Sequence, residues 1–119
     1  MGKRDKTASP RELMTPAVLH ILVSLATGER HGLGIKEEVE ARTGGELRLG
    51  PGTLYEGLHR LEASGWVSEV EAGEAEDGRR RFYRLTKEGR RAMEAELARL
   101  DAIVRHARAE RLLPRASER

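Results

Sequence analysis

The sequence has no cysteine, few aromatic residues and no long apolar segment. Its 119 residues include one Phe, two Tyr and one Trp. The absence of Cys excludes a disulfide framework, a Cys-ligated zinc site and a thiol nucleophile. No apolar run approaches the roughly 20 residues that span a bilayer, and no signal-peptide hydrophobic stretch follows the N-terminal charges. We therefore expect a cytoplasmic protein that has no membrane partner.

Charged residues are abundant and nearly balanced. The chain has 22 Lys and Arg against 20 Asp and Glu, which gives a formal net charge of +2, and only 38% of its residues are apolar. At this length one domain with a small core is expected. Because aromatic residues are scarce, Leu, Val, Ile and Ala must form that core, which favours a mainly helical fold.

Three short helices are predicted in the first half of the chain. Thr15 is a suitable N-cap, and the apolar spacing after it predicts a helix over about 15–27. A second helix follows the turn at 29–32, and a third lies between Gly50 and Gly65. Short helices joined by Gly-rich turns are typical of a helix-turn-helix domain.

The spacing of apolar residues changes from a helical to a strand-like pattern after the third helix. Residues 66–71 and 81–85 contain β-branched and aromatic residues, and the polar segment 72–78 lies between them, so a hairpin with a long tip is predicted. The alternation at 47–49 predicts a short bridging strand. The predicted fold is mainly α, of the α+β class: a winged helix-turn-helix with one more helix at the C-terminus.

The final helix, capped by Thr86, carries apolar residues at heptad spacing. This predicted seam consists of Met93, Leu97, Leu100, Val104 and Ala107. It is long enough to pair with a second subunit, so we expect a homodimer. The predicted organisation is a flexible basic arm at 1–12, the winged helix-turn-helix domain at 13–91, the dimerisation helix at 86–112 and a disordered tail at 113–119.

Several segments together carry a family resemblance. They are His31-Gly32-Leu33, Gly50–Tyr55, Leu58–Glu62, Gly65-Trp66-Val67 and Arg79–Gly89. In combination and spacing they resemble the PadR family of bacterial transcriptional regulators, over about residues 16–90, and in particular its short members with one dimerising C-terminal helix. The resemblance implies a sequence-specific regulator, a repressor, that binds double-stranded DNA at an inverted repeat as a homodimer.

The candidate DNA-binding residues lie on the outward face of the third helix and in the wing. They are Gly52, Thr53, Tyr55, His59, Arg60, Arg79, Arg80 and Arg81. A small residue at the start of a helix lets its N-terminus approach a phosphate. Residues 79–91 hold seven basic side chains and one acidic, directly after five acidic residues in 69–77. Because Arg is favoured in a narrow minor groove, this basic run is expected to contact DNA. Tyr55 on the third helix either contacts DNA or packs in the core.

Other sites and functions have weaker support. Trp66 either packs in the core or lines the site of a small-molecule effector between subunits, as the resemblance implies. The four His residues lack metal-ligand spacing and no catalytic cluster is present, so we predict no metal, no cofactor and no enzymatic activity. The alternative function is a winged-helix protein-interaction module that does not bind DNA, which the balanced charge of residues 47–66 favours.

Overall fold

The computed structural model describes residues 9–70 and 81–114. Five helices and three strands follow one another as α1 (Pro10–Leu13), α2 (Pro16–Ala26), β1 (Arg30–His31), α3 (Gly32–Arg42), α4 (Pro51–Ala63), β2 (Val67–Val70), β3 (Phe82–Leu85) and α5 (Lys87–Ala109). The strands form one antiparallel sheet in the order β1-β3-β2. The predicted mainly helical fold with a small β-sheet is confirmed.

The three predicted helices of the helix-turn-helix correspond to α2, α3 and α4. Thr15 caps α2, and its Oγ1 accepts the backbone N–H of Val18 at 3.1 Å. Helix α3 ends before Gly44 and Gly45, which have φ angles of 64° and 82°. Only glycine adopts that left-handed conformation without strain, so this pair stops the helix where the sequence predicts a stop.

Strand β1, which completes the three-stranded sheet, lies where the sequence predicts a turn. Residues Arg30–His31 pair with Tyr83 and Phe82 of β3. The predicted bridging strand at 47–49 is wrong, because those residues form no strand and Leu49 is buried in the core. A strand of two residues has no periodicity, so the pattern of apolar residues could not reveal it.

The prediction of a loose arm over 1–12 is wrong for its last residues, which begin helix α1. Ser9 and Glu12 form a reciprocal capping box: each side chain accepts the other residue's backbone N–H at 3.2 Å. Leu13 then joins the core. Residues 1–8 of the predicted arm and 115–119 of the predicted tail lie outside the described residues.

The core lies between the apolar faces of α2, α3 and α4 and is closed by the sheet and the start of α5. Leu22, Ile35 and Leu61 are fully buried at its centre. Met93 of α5 is 5% exposed and belongs to the same core. This corrects its predicted place in the dimer seam, because a side chain already buried in its own protomer is not available to a second one.

Helix α5 is attached closely to the end of α4. The Thr86 backbone N–H donates to the Trp66 carbonyl at 3.0 Å, and its hydroxyl donates to the Gly65 carbonyl at 2.7 Å. The same hydroxyl oxygen accepts the N–H of Gly89 at 3.0 Å and so caps α5. A Cβ at Gly89 would collide with the backbone carbonyl of Trp66. The two helices therefore have a fixed relative position.

Candidate nucleic-acid interface

Helix α4 separates its apolar and polar residues cleanly onto two faces. Leu54, Leu58 and Leu61 are buried against the core. The predicted DNA-binding residues of this helix are all exposed: Gly52, Thr53, Tyr55, His59 and Arg60. The structure therefore brings these five residues together on one solvent-facing surface.

The N-terminus of α4 differs from that of the other helices among the described residues. In each of the other four helices, the side chain of the N-cap residue accepts a backbone N–H of the first turn. These N-cap residues are Ser9, Thr15, His31 and Thr86. Helix α4 begins at Gly50 with no side-chain cap. A Cβ at Gly50 or Gly52 would meet nothing within 4 Å. The first-turn N–H groups and the positive end of the helix dipole are thus open to an anion such as a phosphate.

Tyr55 combines the two alternatives that its sequence position leaves open. Its phenol lies over the start of α3, where a Cβ at Gly32 would collide with the ring and the hydroxyl. The residue nevertheless remains 51% exposed. The ring thus supports the packing of α4 against α3, and contact of its open surface with DNA stays a prediction.

His59 and Arg60 are unengaged within the part of the chain that the structure describes. Both are exposed, and neither side chain has a hydrogen bond or ion pair among residues 9–70 and 81–114. Glu56, four residues before Arg60, forms no pair with it there. The imidazole and guanidinium donors are therefore free to bind an external acceptor.

The wing is formed by β2 and β3. The Arg81 Nε lies 3.5 Å from the Glu69 carboxylate in a largely exposed ion pair. Beneath the pair, burial raises the pKa of the Tyr83 phenol, and the carboxylates of Glu62 and Glu69 raise it further. Of the three predicted wing arginines, Arg79 and Arg80 lie outside the described residues.

His31 positions the helix-turn-helix against the wing, a role that its place in the sequence does not reveal. Its Nδ1 accepts the N–H of Gly34 at 3.0 Å and caps α3. Its ring meets Phe82 of β3 edge-on, with ring centroids 5.1 Å apart. His is not among the preferred N-cap residues, so only the spatial arrangement identifies this function.

A second positioning contact joins α2 to α3. Arg42 donates to the His20 Nδ1 at 2.9 Å and to both carboxylate oxygens of Glu38 at 3.0 Å. The Arg42 hydrogen bond lowers the pKa of Glu38. Burial, then the charge of Arg42, lowers the pKa of His20. The Glu38–Arg42 pair has the i, i+4 spacing that a sequence can reveal, but the contact with His20 joins two helices and gives no sequence signal.

Residues 9–70 and 81–114 contain neither a metal-binding cluster nor a membrane-spanning helix. In that part of the chain, no three His, Asp or Glu side chains are grouped closely enough to hold a metal ion. No helix there has the length and apolarity that a membrane span requires.

The three-helix unit with an open recognition helix and an adjacent β-hairpin defines a winged helix-turn-helix protein, a DNA-binding class. The model of the PadR-like family of transcriptional regulators matches residues 18–95. The chain belongs to this family, which confirms the resemblance noted in its sequence.

Individual relatives agree with the assignment. The transcriptional regulator Rv3488 of Mycobacterium tuberculosis is 43% identical over 97 residues, which cover 80% of this chain and 86% of that protein. A PadR family transcription regulator from Clostridium difficile has a TM-score of 0.65 and 25% identity, covering 77% of this chain and 94% of that one. The structure of Bacillus subtilis PadR in complex with operator DNA has a TM-score of 0.62 and 20% identity. The match covers 70% of this chain and 47% of that one. Members of the family are transcriptional regulators and not enzymes, as predicted.

Proposed function

We propose that this regulator recognises a specific double-stranded DNA sequence through the outward face of α4. The observation that carries the proposal is the uncapped N-terminus of α4 beside unengaged polar side chains on the same surface. Such a surface offers the two kinds of contact that a DNA reader needs, because backbone N–H groups bind phosphates and side chains reach base edges.

Each residue of this surface has a role that follows from its depth along the helix. Gly52 and Thr53 stand at the open end, where their N–H groups and the Thr hydroxyl suit a phosphate. His59 and Arg60 lie about two turns further along, where a helix in the major groove meets base edges. A pair of hydrogen bonds from one Arg side chain to a guanine is the commonest base-specific contact in the major groove.

The wing supplies a second contact in the adjacent minor groove, through Arg79, Arg80 and Arg81. Each neutralised phosphate contributes about −0.9 to the slope of log affinity against log salt. Replacing the three arginines with Ala should therefore flatten the slope. An unchanged slope would show that the wing does not take part in binding.

We also propose that two copies pair through the second half of α5. In the isolated protomer Leu97 and Ile103 are 40% and 53% exposed, and Leu100, Val104 and Ala107 are only partly buried. A homodimer places two recognition helices about one helical turn of DNA apart, roughly 34–36 Å. The dimer then reads an inverted repeat.

The proposed effect of binding is repression. A dimer bound at a promoter excludes the polymerase from the same DNA. A reporter gene controlled by the selected site should be less active when the protein is present. Equal or higher reporter output would contradict repression and leave DNA binding intact.

The second candidate is a winged-helix module that binds another protein and no DNA. It is favoured by two exposed apolar side chains, Leu33 near the start of α3 and Tyr55 on α4. The charges of residues 47–66 also balance, because Arg48 and Arg60 are offset by Glu56 and Glu62. The net charge of this segment therefore gives no preference for DNA.

An electrophoretic mobility shift at physiological salt separates the two candidates. The wild type should shift a duplex selected from random DNA at nanomolar concentration, and unlabelled random DNA should compete poorly. The Arg60→Ala variant should lose affinity, whereas Arg108→Ala, on the far helix α5, should not. A wild type that shifts no duplex would leave only the protein-interaction module.

A further inference from the structure

Glu56 lies at the middle of the exposed face of α4. The three buried leucines of this helix, Leu54, Leu58 and Leu61, define the side that packs on the core. At about 100° per residue, position 56 falls almost directly opposite their mean direction, and the Glu56 side chain is exposed. When a helix enters the major groove, the residue opposite the core faces the floor of the groove. Glu56 therefore lies where a side chain meets base edges.

No interaction within α4 accounts for the acidic side chain at this place. A Glu four residues before an Arg is the favourable order for an ion pair on a helix. In α3 this spacing joins Glu38 to Arg42 at 3.0 Å. In α4 the same spacing leaves Glu56 and Arg60 without a hydrogen bond or ion pair among residues 9–70 and 81–114. Glu56 is also the sixth residue of α4, beyond the first turn in which the helix dipole stabilises a carboxylate.

We propose that the Glu56 carboxylate accepts a hydrogen bond from the N4 amino group of a cytosine in the major groove, so that Glu56 determines base preference at one position of the DNA site. The inference rests on the proposed function of α4 and adds the base that one of its side chains recognises. A glutamate at this place also acts against other sequences, because a base edge that offers only acceptors leaves its carboxylate unpaired.

The chemistry of the base edges selects cytosine. A carboxylate only accepts hydrogen bonds, and the major groove offers two kinds of amino group, N4 of cytosine and N6 of adenine. The adenine amino group lies beside the N7 acceptor, which repels a carboxylate, whereas cytosine has no acceptor beside its amino group at this edge. A carboxylate that loses water without gaining a donor destabilises the complex. Cytosine is therefore the base that offsets the desolvation of Glu56.

The position of Arg60 supports the assignment. Four residues of helix cover about 6 Å, and stacked base pairs lie about 3.4 Å apart, so Glu56 and Arg60 reach base pairs at most about two steps apart. Their charges are opposite, and so are the base edges that they suit: a guanidinium binds guanine, and a carboxylate binds cytosine. We therefore expect the cytosine to lie within about two base pairs of the position that depends on Arg60.

The base preference of an isosteric variant tests the proposal. In selection from random duplex DNA, the wild type should prefer cytosine by about tenfold or more at one symmetric pair of positions. Glu56→Gln keeps the size of the side chain and adds a donor, so its preference there should shift from cytosine towards adenine, which an amide recognises. Glu37→Gln removes the same charge from an exposed position of α3 and should keep the wild-type preference.

A cytosine analogue without the amino group tests the contact itself. Duplexes that carry either cytosine or 2-pyrimidinone at the identified position are compared by mobility shift. The analogue also pairs more weakly with guanine, which affects all variants alike. The ratio of the two affinities should therefore be about tenfold larger for the wild type than for Glu56→Ala. Equal ratios would show that the carboxylate does not contact the amino group.

The outcomes separate failure of the cytosine contact from failure of DNA recognition. If the wild type and Glu56→Gln select the same sequence, the contact is overturned and the proposed function stands. A uniform gain in affinity of Glu56→Gln for all duplexes would assign the carboxylate to repulsion of phosphates and also overturn the contact. A wild type that selects no sequence would overturn the proposed function itself. Denaturant unfolding of Glu56→Gln should match that of the wild type, so that a changed preference reports on the contact and not on folding.

Discussion

Helices α4 and α5 use their exposed surfaces in opposite ways. Helix α4 buries its leucines completely in the protomer and presents polar side chains and an open N-terminus. Helix α5 buries only its first part and leaves apolar residues such as Leu97 and Ile103 in solvent. A polar, donor-rich surface suits a nucleic acid, whereas an apolar one suits a protein. The difference supports DNA as the proposed partner of α4 and a second copy as the proposed partner of α5.

The largest expected effect comes from placing a charge on the apolar surface of α5. Leu100→Asp, or Ile103→Asp at a more exposed position, should weaken the dimer by about 4 kcal/mol, because each copy buries an unpaired carboxylate. Sedimentation at micromolar concentration should show a monomer. The matched variant Ala98→Asp, on the opposite face of α5, should stay dimeric. Dimers of Leu100→Asp would place the interface elsewhere.

The junction between the two helices is the next most sensitive point. Gly89→Ala should destabilise the fold by about 3 kcal/mol, because the new methyl group meets the Trp66 backbone carbonyl, which cannot move without shifting β2. Denaturant unfolding measures the change. Gly52→Ala, the same substitution in an open helical position, should be neutral or slightly stabilising. Equal stability of the two variants would contradict the close contact of α5 with Trp66.

A substitution on the polar surface of α4 should change the affinity for DNA and leave the free energy of unfolding unchanged. Arg60→Ala should weaken binding to the selected duplex by about 2 kcal/mol, which is the usual cost of losing one base contact. Unfolding of the variant should be unchanged, since the side chain forms no hydrogen bond or ion pair among the described residues. An equal loss for all DNA sequences would assign Arg60 to a phosphate and not to a base.

The smallest expected effect concerns the contact of His20 with Arg42, which joins α2 to α3. The pKa of His20 is lowered in the fold, so the fold favours the neutral imidazole. Stability from this group is fully present above the unfolded pKa of about 6.5 and is lost as pH falls below it. Acidification from pH 7.5 to 5.5 should cost about 0.5 kcal/mol, the scale of one exposed hydrogen bond. The His20→Asn variant, which keeps an acceptor for Arg42, should lack this dependence between pH 5.5 and 7.5.

Periodic features of this fold were predictable, and tertiary features were not. Repeating apolar positions and side-chain caps such as Thr15 and Thr86 reveal the helices, since they act over one or two turns. The same heptad pattern cannot show whether Met93 meets its own core or a second copy, because both contacts need an apolar side chain. Strand β1 is too short for a pattern, and the contact of Arg42 with His20 joins residues far apart in sequence.

Selection of bound fragments from random duplex DNA tests directly whether α4 reads DNA in a dimer. We expect enrichment of an inverted repeat whose half-sites lie about 10 base pairs apart, centre to centre. Arg60→Ala should lose preference at one symmetric pair of positions in that repeat. Recovery of no sequence above random background would show that α4 does not read DNA.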